Sequence, residues 1–228
     1  MKIFNLKLSY FIVQFGTGII CLTFLIAIAN IKKVKPYYFK YIFTYIILGM
    51  LLSLNTIVHN NNHWSLNKKA SILIEQMIFI TQALMLTLFF INILKKTQFS
   101  KMIKPLLVFS STLYFIIILF VLLKNIEIRP NLILNLFLTI LCLFYLRDLM
   151  INKPTLILAN SSSFWIVMGI FFTSCIGIPL NSLIPFFPKN DTYINLHFQI
   201  YSIVNISLIV LYLFIIKSYL CLKHPQNL

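Results

Sequence analysis

Glu75 is one of four acidic residues in this sequence, and it is the one that lies in the body of a long apolar run. A carboxyl group in such a place points to a proton relay, a cation partner or a ligand contact. Gln82 follows seven residues later, two helical turns on, so both side chains share one helix face. Glu75 also lies about 7.5 Å from the start of its run at Ala70, at 1.5 Å per residue, within reach of a membrane boundary. A polar cavity and a simple hydrogen bond at the edge are equally good readings of the pair.

A second group falls near the end of the chain. His197, Tyr201, Asn205 and Tyr212 would stay within about 80° of one another on a helix turning 100° per residue. With Glu75 and Gln82 they are the candidate lining of a ligand cavity. The commoner role of such a stripe is interhelical hydrogen bonding, each bond worth roughly 0.6 kcal/mol.

Histidine supplies the third group. His59 and His63 have the i, i+4 spacing that presents two imidazoles to one metal, and His197, Asp191 and Glu75 fall on the same predicted side of the membrane. A metal-dependent lipid hydrolase would use such a cluster. The two histidines are embedded in His59-Asn60-Asn61-Asn62-His63, which reads as a loop, and no HExxH occurs. His59, His63 and His197 are therefore weak metal candidates, and no resident metal or other cofactor is expected.

Glycine and cysteine restrict the chemistry further. All five glycines lie inside apolar runs, so no glycine-rich loop exists to cradle phosphates; kinase, P-loop and dinucleotide-binding chemistries are excluded. The four cysteines form no CxxC pair and read as small buried hydrophobes. Gly169, Thr173 and Gly177 repeat every four residues, a ridge of small side chains that lets another helix approach closely. Gly49 and Ser53 make a weaker version. Pro179 removes an N–H from the middle of an apolar run and is expected to kink it. The ridge and Pro179 read as close packing with a tolerated kink, or as a hinge. Lys217 lies at the end of the last run, where it suits a snorkelling anchor better than a retinal Schiff base. Arg147 and Asp148 are expected to stay solvated.

The 228 residues are 60% hydrophobic and 10% charged, with a mean hydropathy of +0.94. A soluble domain carries about 25% charged residues, so hydrocarbon is the solvent that fits. Seven runs are long enough to cross about 30 Å of hydrocarbon: Leu8–Asn30, Tyr38–Val58, Ala70–Leu94, Ile103–Leu123, Asn131–Ile151, Ser162–Ile184 and Leu196–Ile216. Prolines 36, 105, 130, 154, 185, 188 and 225 lie at or near their ends. The expectation is an all-α polytopic transmembrane bundle of seven helices, with six or eight as the alternatives, forming one integral membrane domain over residues 1–228.

The net charge of +15 is spread in pairs among the loops rather than gathered in a basic arm, so lipid head groups rather than nucleic acid are the expected partners. On one side lie Lys2, Lys7, Lys68, Lys69, Lys124, Arg129 and Lys189. The other side has Lys32, Lys33, Lys35, Lys40, Lys95, Lys96, Lys101, Lys104, Arg147, Lys153, Lys217 and Lys223. The richer side belongs in the cytoplasm, which places the N-terminus outside and the C-terminus inside a cytoplasmic (inner) membrane. Ala27-Ile28-Ala29 resembles a signal-peptide cleavage site, but the apolar stretch before it exceeds the roughly 7–15 residues of a signal core, and the lysines follow it.

Two stretches carry a resemblance: Ile74-Glu75-Gln76-Met77-Ile78-Phe79 in the third run, and the ten residues from Ser163 to Phe172, beginning Ser163-Phe164-Trp165-Ile166, in the sixth. They resemble a family of small bacterial seven-helix membrane proteins of uncharacterised function, in which an acidic residue opens the third helix and an FWI…G motif the sixth. Some relatives of that type look like the membrane sensor portion of histidine kinases. The resemblance implies a non-enzymatic sensory or partner-binding module. Because the chain ends at Leu228, soon after the last run, signalling would pass through a separate protein. A membrane-embedded lipid enzyme and a small transporter are the alternatives, and association with a second copy is left open.

Overall fold

Twenty helical residues rise about 30 Å, the thickness of the hydrocarbon layer, and among the described residues five helices carry apolar runs of that length. A computed structural model describes residues 2–31, 37–60, 68–95, 101, 105, 108–110, 112–116, 119, 130–152, 158–183 and 194–222. Among these residues the elements are α1 (Lys2–Asn30), α2 (Phe39–Asn60), α3 (Lys68–Leu94), α4 (helical at 105, 108–110, 112–116 and 119), α5 (Pro130–Asn152), α6 (Ser162–Leu183) and α7 (Ile194–Cys221). A single 3-10 turn, Leu158–Asn160, precedes α6. The runs long and apolar enough to span a membrane are Phe11–Asn30, Ile74–Leu94, Leu132–Ile151, Ser162–Leu183 and Gln199–Cys221; α2 carries a shorter one, Phe39–Asn55. Among the described residues the chain is all-helical, with seven helices, the architecture of a polytopic membrane protein.

Hydroxyl and amide side chains inside these helices bond to their own backbone one turn back. Thr17 donates to the Val13 carbonyl at 3.0 Å, Thr23 to Ile19 at 2.7 Å, Ser53 to Gly49 at 3.0 Å and Thr139 to Asn135 at 2.8 Å. Lipid offers no partner, so a polar side chain in a spanning helix is satisfied within the protein.

The chain divides into two compact units, Met1–Lys33 with Asn131–Leu228, and Val34–Pro130. In the first, α7 packs against both α1 and α6. Its core holds Leu134, Leu141, Ile166, Val167, Ile170, Ile215 and Tyr219, all nearly fully buried. Gly16 on α1 faces Ile209 on α7. In the second, α2 packs on α3, with Phe39, Ile42, Ile46, Phe89 and Phe90 buried. Tyr38 meets Phe89 edge-on at 5.5 Å.

Aromatic and basic residues mark helix ends in the manner of membrane-interface anchors. At the start of α2, Lys40 Nζ sits 3.3 Å from the Tyr37 ring centroid. Near the end of α7, Lys217 Nζ lies 5.8 Å from that of Trp165. The last helix continues past Ile216 to Cys221, so Lys217 lies about one turn before its end. One expectation needs correction. Asp148 is only 5% exposed, while its neighbour Arg147 is exposed: the 100° step between successive helical residues turns one toward the core and the other away.

Candidate functional site

The polar residues of α3 bind two different helices. Asn55 on α2 donates its side-chain amide to Glu75 Oε1 at 3.3 Å, and both groups are half-buried. Seven residues along the same face, the buried Gln82 donates Nε2 to the Tyr45 carbonyl of α2 at 3.4 Å. Farther along, Thr87 Oγ1 and the Tyr114 hydroxyl of α4 lie 2.7 Å apart, both buried, and Thr87 also donates to the Ala83 carbonyl at 2.9 Å. The i, i+7 relation of Glu75 and Gln82 read from the sequence does place both on the α2 side of α3. Asn55, Tyr45 and Tyr114 carried no signal of their own, because a partner on another helix is invisible to spacing along one.

Within the other unit the small-residue ridge of α6 serves two neighbours. A Cβ on Gly169 would stand 2.9 Å from Phe214 Cβ and 3.0 Å from Leu211 Cδ1 of α7. Thr173 Oγ1 reaches both the Gly169 carbonyl at 2.9 Å and the Ser207 carbonyl of α7 at 3.1 Å. Gly177, two turns on, faces α5 instead: its Cβ would lie 2.5 Å from Asn135 Nδ2. Asn181 Nδ2 donates to the Gly177 carbonyl at 2.8 Å. Close approach demands glycine at 169, where the obstacle is Phe214 Cβ, whereas at 177 it is the end of the Asn135 side chain, which can turn aside. Pro179 lies inside α6, exposed, and the helix continues beyond it to Leu183, with Ser182 donating to the Pro179 carbonyl at 2.8 Å.

The stripe on α7 keeps to one face but not to one environment. Tyr201 is 56% exposed, Asn205 donates to the Tyr201 carbonyl of its own helix at 2.9 Å, and Tyr212 is 3% exposed. Steps of four, four and seven residues hold these positions within about 80°, so exposure changes along α7 rather than around it. His197 lies in α7, with its side chain outside the described residues; the same holds for His59 in α2, and His63 is not described at all. Among the described residues no three His, Cys, Asp or Glu side chains gather where a metal would be held.

A polar collar at one end of this unit was not singled out from sequence. Trp165 Nε1 donates to the Ala159 carbonyl at 2.8 Å, and Cys221 Sγ lies 3.5 Å from the same oxygen. Tyr145 Oη and Ser163 Oγ are 2.7 Å apart, and Ser163 lies 3.2 Å from Ser161 Oγ. Trp165 stacks on Phe214 with centroids 5.5 Å apart. The Ser163–Trp165 stretch thus ties α5, the 3-10 turn, α6 and α7 together. All four cysteines are free, and Cys142 is the one that is buried; Cys21 and Cys175 are exposed.

No family model, curated protein or solved structure matches this chain.

Proposed function

We propose that this chain is a non-enzymatic membrane module that senses or relays through a separate protein, set in a bacterial inner membrane with its N-terminus outside and its C-terminus in the cytoplasm. One observation carries the reading. The Glu75 carboxyl receives a hydrogen bond from the neutral amide of Asn55 on the neighbouring helix. An ionisable group in an apolar helix is expensive to keep and is a functional position by default. A ligand group arriving at the second oxygen acts directly on the α2–α3 contact. Gln82, bonded to the Tyr45 backbone two turns away, supplies the fixed point against which that contact shifts.

The resemblance of Ile74–Phe79 and Ser163–Phe172 to small bacterial seven-helix membrane proteins, some relatives of which look like sensor regions, agrees with this reading, and the lysine-rich loops support the orientation. The test is cross-linked extraction of the tagged full-length chain from its native membrane, wild type beside Glu75→Gln. The reading expects one reproducible protein partner whose cross-linking yield changes several-fold in the variant. It is overturned if no protein is captured, or if the yield is the same in both. A bound lipid or a stoichiometric metal without a protein partner would favour a lipid enzyme instead.

A further inference from the structure

Ser174 of α6 is 2% exposed, and its hydroxyl has no hydrogen-bond partner among the described residues. The other buried polar side chains described, Gln82 and Ser207 among them, all have partners within the protein. A buried hydroxyl left unpaired is costly, and a bound water is the common way such a group is satisfied.

Two amides lie close to this hydroxyl. Gly177 follows three residues later on the same side of α6, and Asn135 of α5 reaches into the notch left by its missing side chain. Asn135 Nδ2 lies 2.5 Å from the place a Cβ would take, and Asn181 Nδ2 lies 3.6 Å from it. Asn181 uses one N–H on the Gly177 carbonyl and has a second to give. The Asn135 amide bonds to no described residue. Helical Cβ atoms three residues apart are about 5–6 Å apart, a distance that one water spans with a bond of about 2.8 Å to either side. α5 and α6 belong to the same compact unit, so the cluster is internal to it.

We propose that a water molecule is bound between α5 and α6 at Asn135, Ser174 and Asn181. It accepts from the two amides and donates to Ser174 Oγ, and three bonds is the usual complement of a buried water. All three side chains are neutral, and together they offer both donors and an acceptor, which suits water rather than an ion. The water joins α5 to α6 in the turn before Pro179, where α6 lacks a backbone N–H. Gly177 keeps the place open, because a methyl there would turn the Asn135 amide aside. The site is independent of the relay reading.

The full-length protein in mixed micelles, labelled with nitrogen-15 at asparagine, gives two readouts. A long-lived water should show cross-relaxation with the Asn135 side-chain amide, read in the rotating frame, where its sign separates it from proton exchange. The amide signal is assigned by its disappearance in Asn135→Leu. The cross-relaxation should be lost in Ser174→Ala, with helix content unchanged. Reversible unfolding is the second readout. Removing a hydroxyl that holds nothing would leave stability unchanged or raise it, since alanine is the better helix former. Removing one that holds a water should lower the folding constant about threefold, the effect of losing an interhelical hydrogen bond of average strength. No water signal at Asn135, or a Ser174→Ala variant as stable as the wild type, overturns the proposal.

Discussion

Asn55 and Glu75 face each other across the α2–α3 contact, amide nitrogen to carboxylate oxygen at 3.3 Å. The pair joins two residues twenty positions apart, and its strength follows from where it lies. Interhelical hydrogen bonds in membranes average about 0.6 kcal/mol and reach about 1.7. A double-mutant cycle with Asn55→Leu and Glu75→Leu, read by reversible unfolding in mixed micelles, should give a coupling energy in that range. Additive single effects would show that the two side chains act separately.

Gly177 and Asn135 are related through space rather than through a hydrogen bond. A methyl at 177 would meet Asn135 Nδ2, the end of a side chain that can turn aside, so Gly177→Ala is expected to destabilise by about 1 kcal/mol, the low end of the range for overpacking. Asn135→Ala opens the space the methyl needs. The double variant should therefore be more stable than Gly177→Ala alone, a reversal that unfolding measurements would detect.

Gly169 and Thr173 separate space from hydrogen bonding on one ridge. At Gly169 the obstacle is Phe214 Cβ, which is fixed to the α7 backbone, so Gly169→Ala must push α6 and α7 apart at about 1–3 kcal/mol. Thr173→Val keeps the shape and loses the hydroxyl that serves the Gly169 and Ser207 carbonyls, about 0.5–1.5 kcal/mol. The glycine substitution should lower the melting temperature more than the threonine one.

Tyr114→Phe removes the hydroxyl that meets Thr87. Thr87 keeps its bond to the Ala83 carbonyl, so no buried donor is stranded. The cost should fall at the low end of the about 0.5–1.5 kcal/mol of a net hydrogen bond. Thr87→Val leaves the Tyr114 hydroxyl without its threonine partner and should cost more; thermal melts of the two variants give the order.

The spans were legible because a bilayer imposes one length on every crossing. Leu132–Ile151 and Ser162–Leu183 fall within a residue or so of the apolar runs at Asn131–Ile151 and Ser162–Ile184. Helix ends outside hydrocarbon were harder: α1 starts at Lys2 and α7 continues to Cys221, because a helix does not stop where its apolar run stops. The small-residue ridge of α6 was legible as a ridge, but its division between α7 at Gly169 and α5 at Gly177 depends on which helices are neighbours. The burial of Asp148 and the collar around the Ala159 carbonyl depend on tertiary contacts, and hydropathy along one chain contains no such information.

An odd number of crossings puts the two ends of a chain on opposite sides, which makes the parity of the seven-helix architecture directly measurable. A cysteine placed after Met1 and another after Leu228, in a chain whose Cys21, Cys142, Cys175 and Cys221 are serine, can be labelled from each side with a membrane-impermeant maleimide. The account predicts labelling of the first from outside the cell and of the second only after the membrane is opened. Both ends labelled from the same side would mean an even number of crossings and would contradict it.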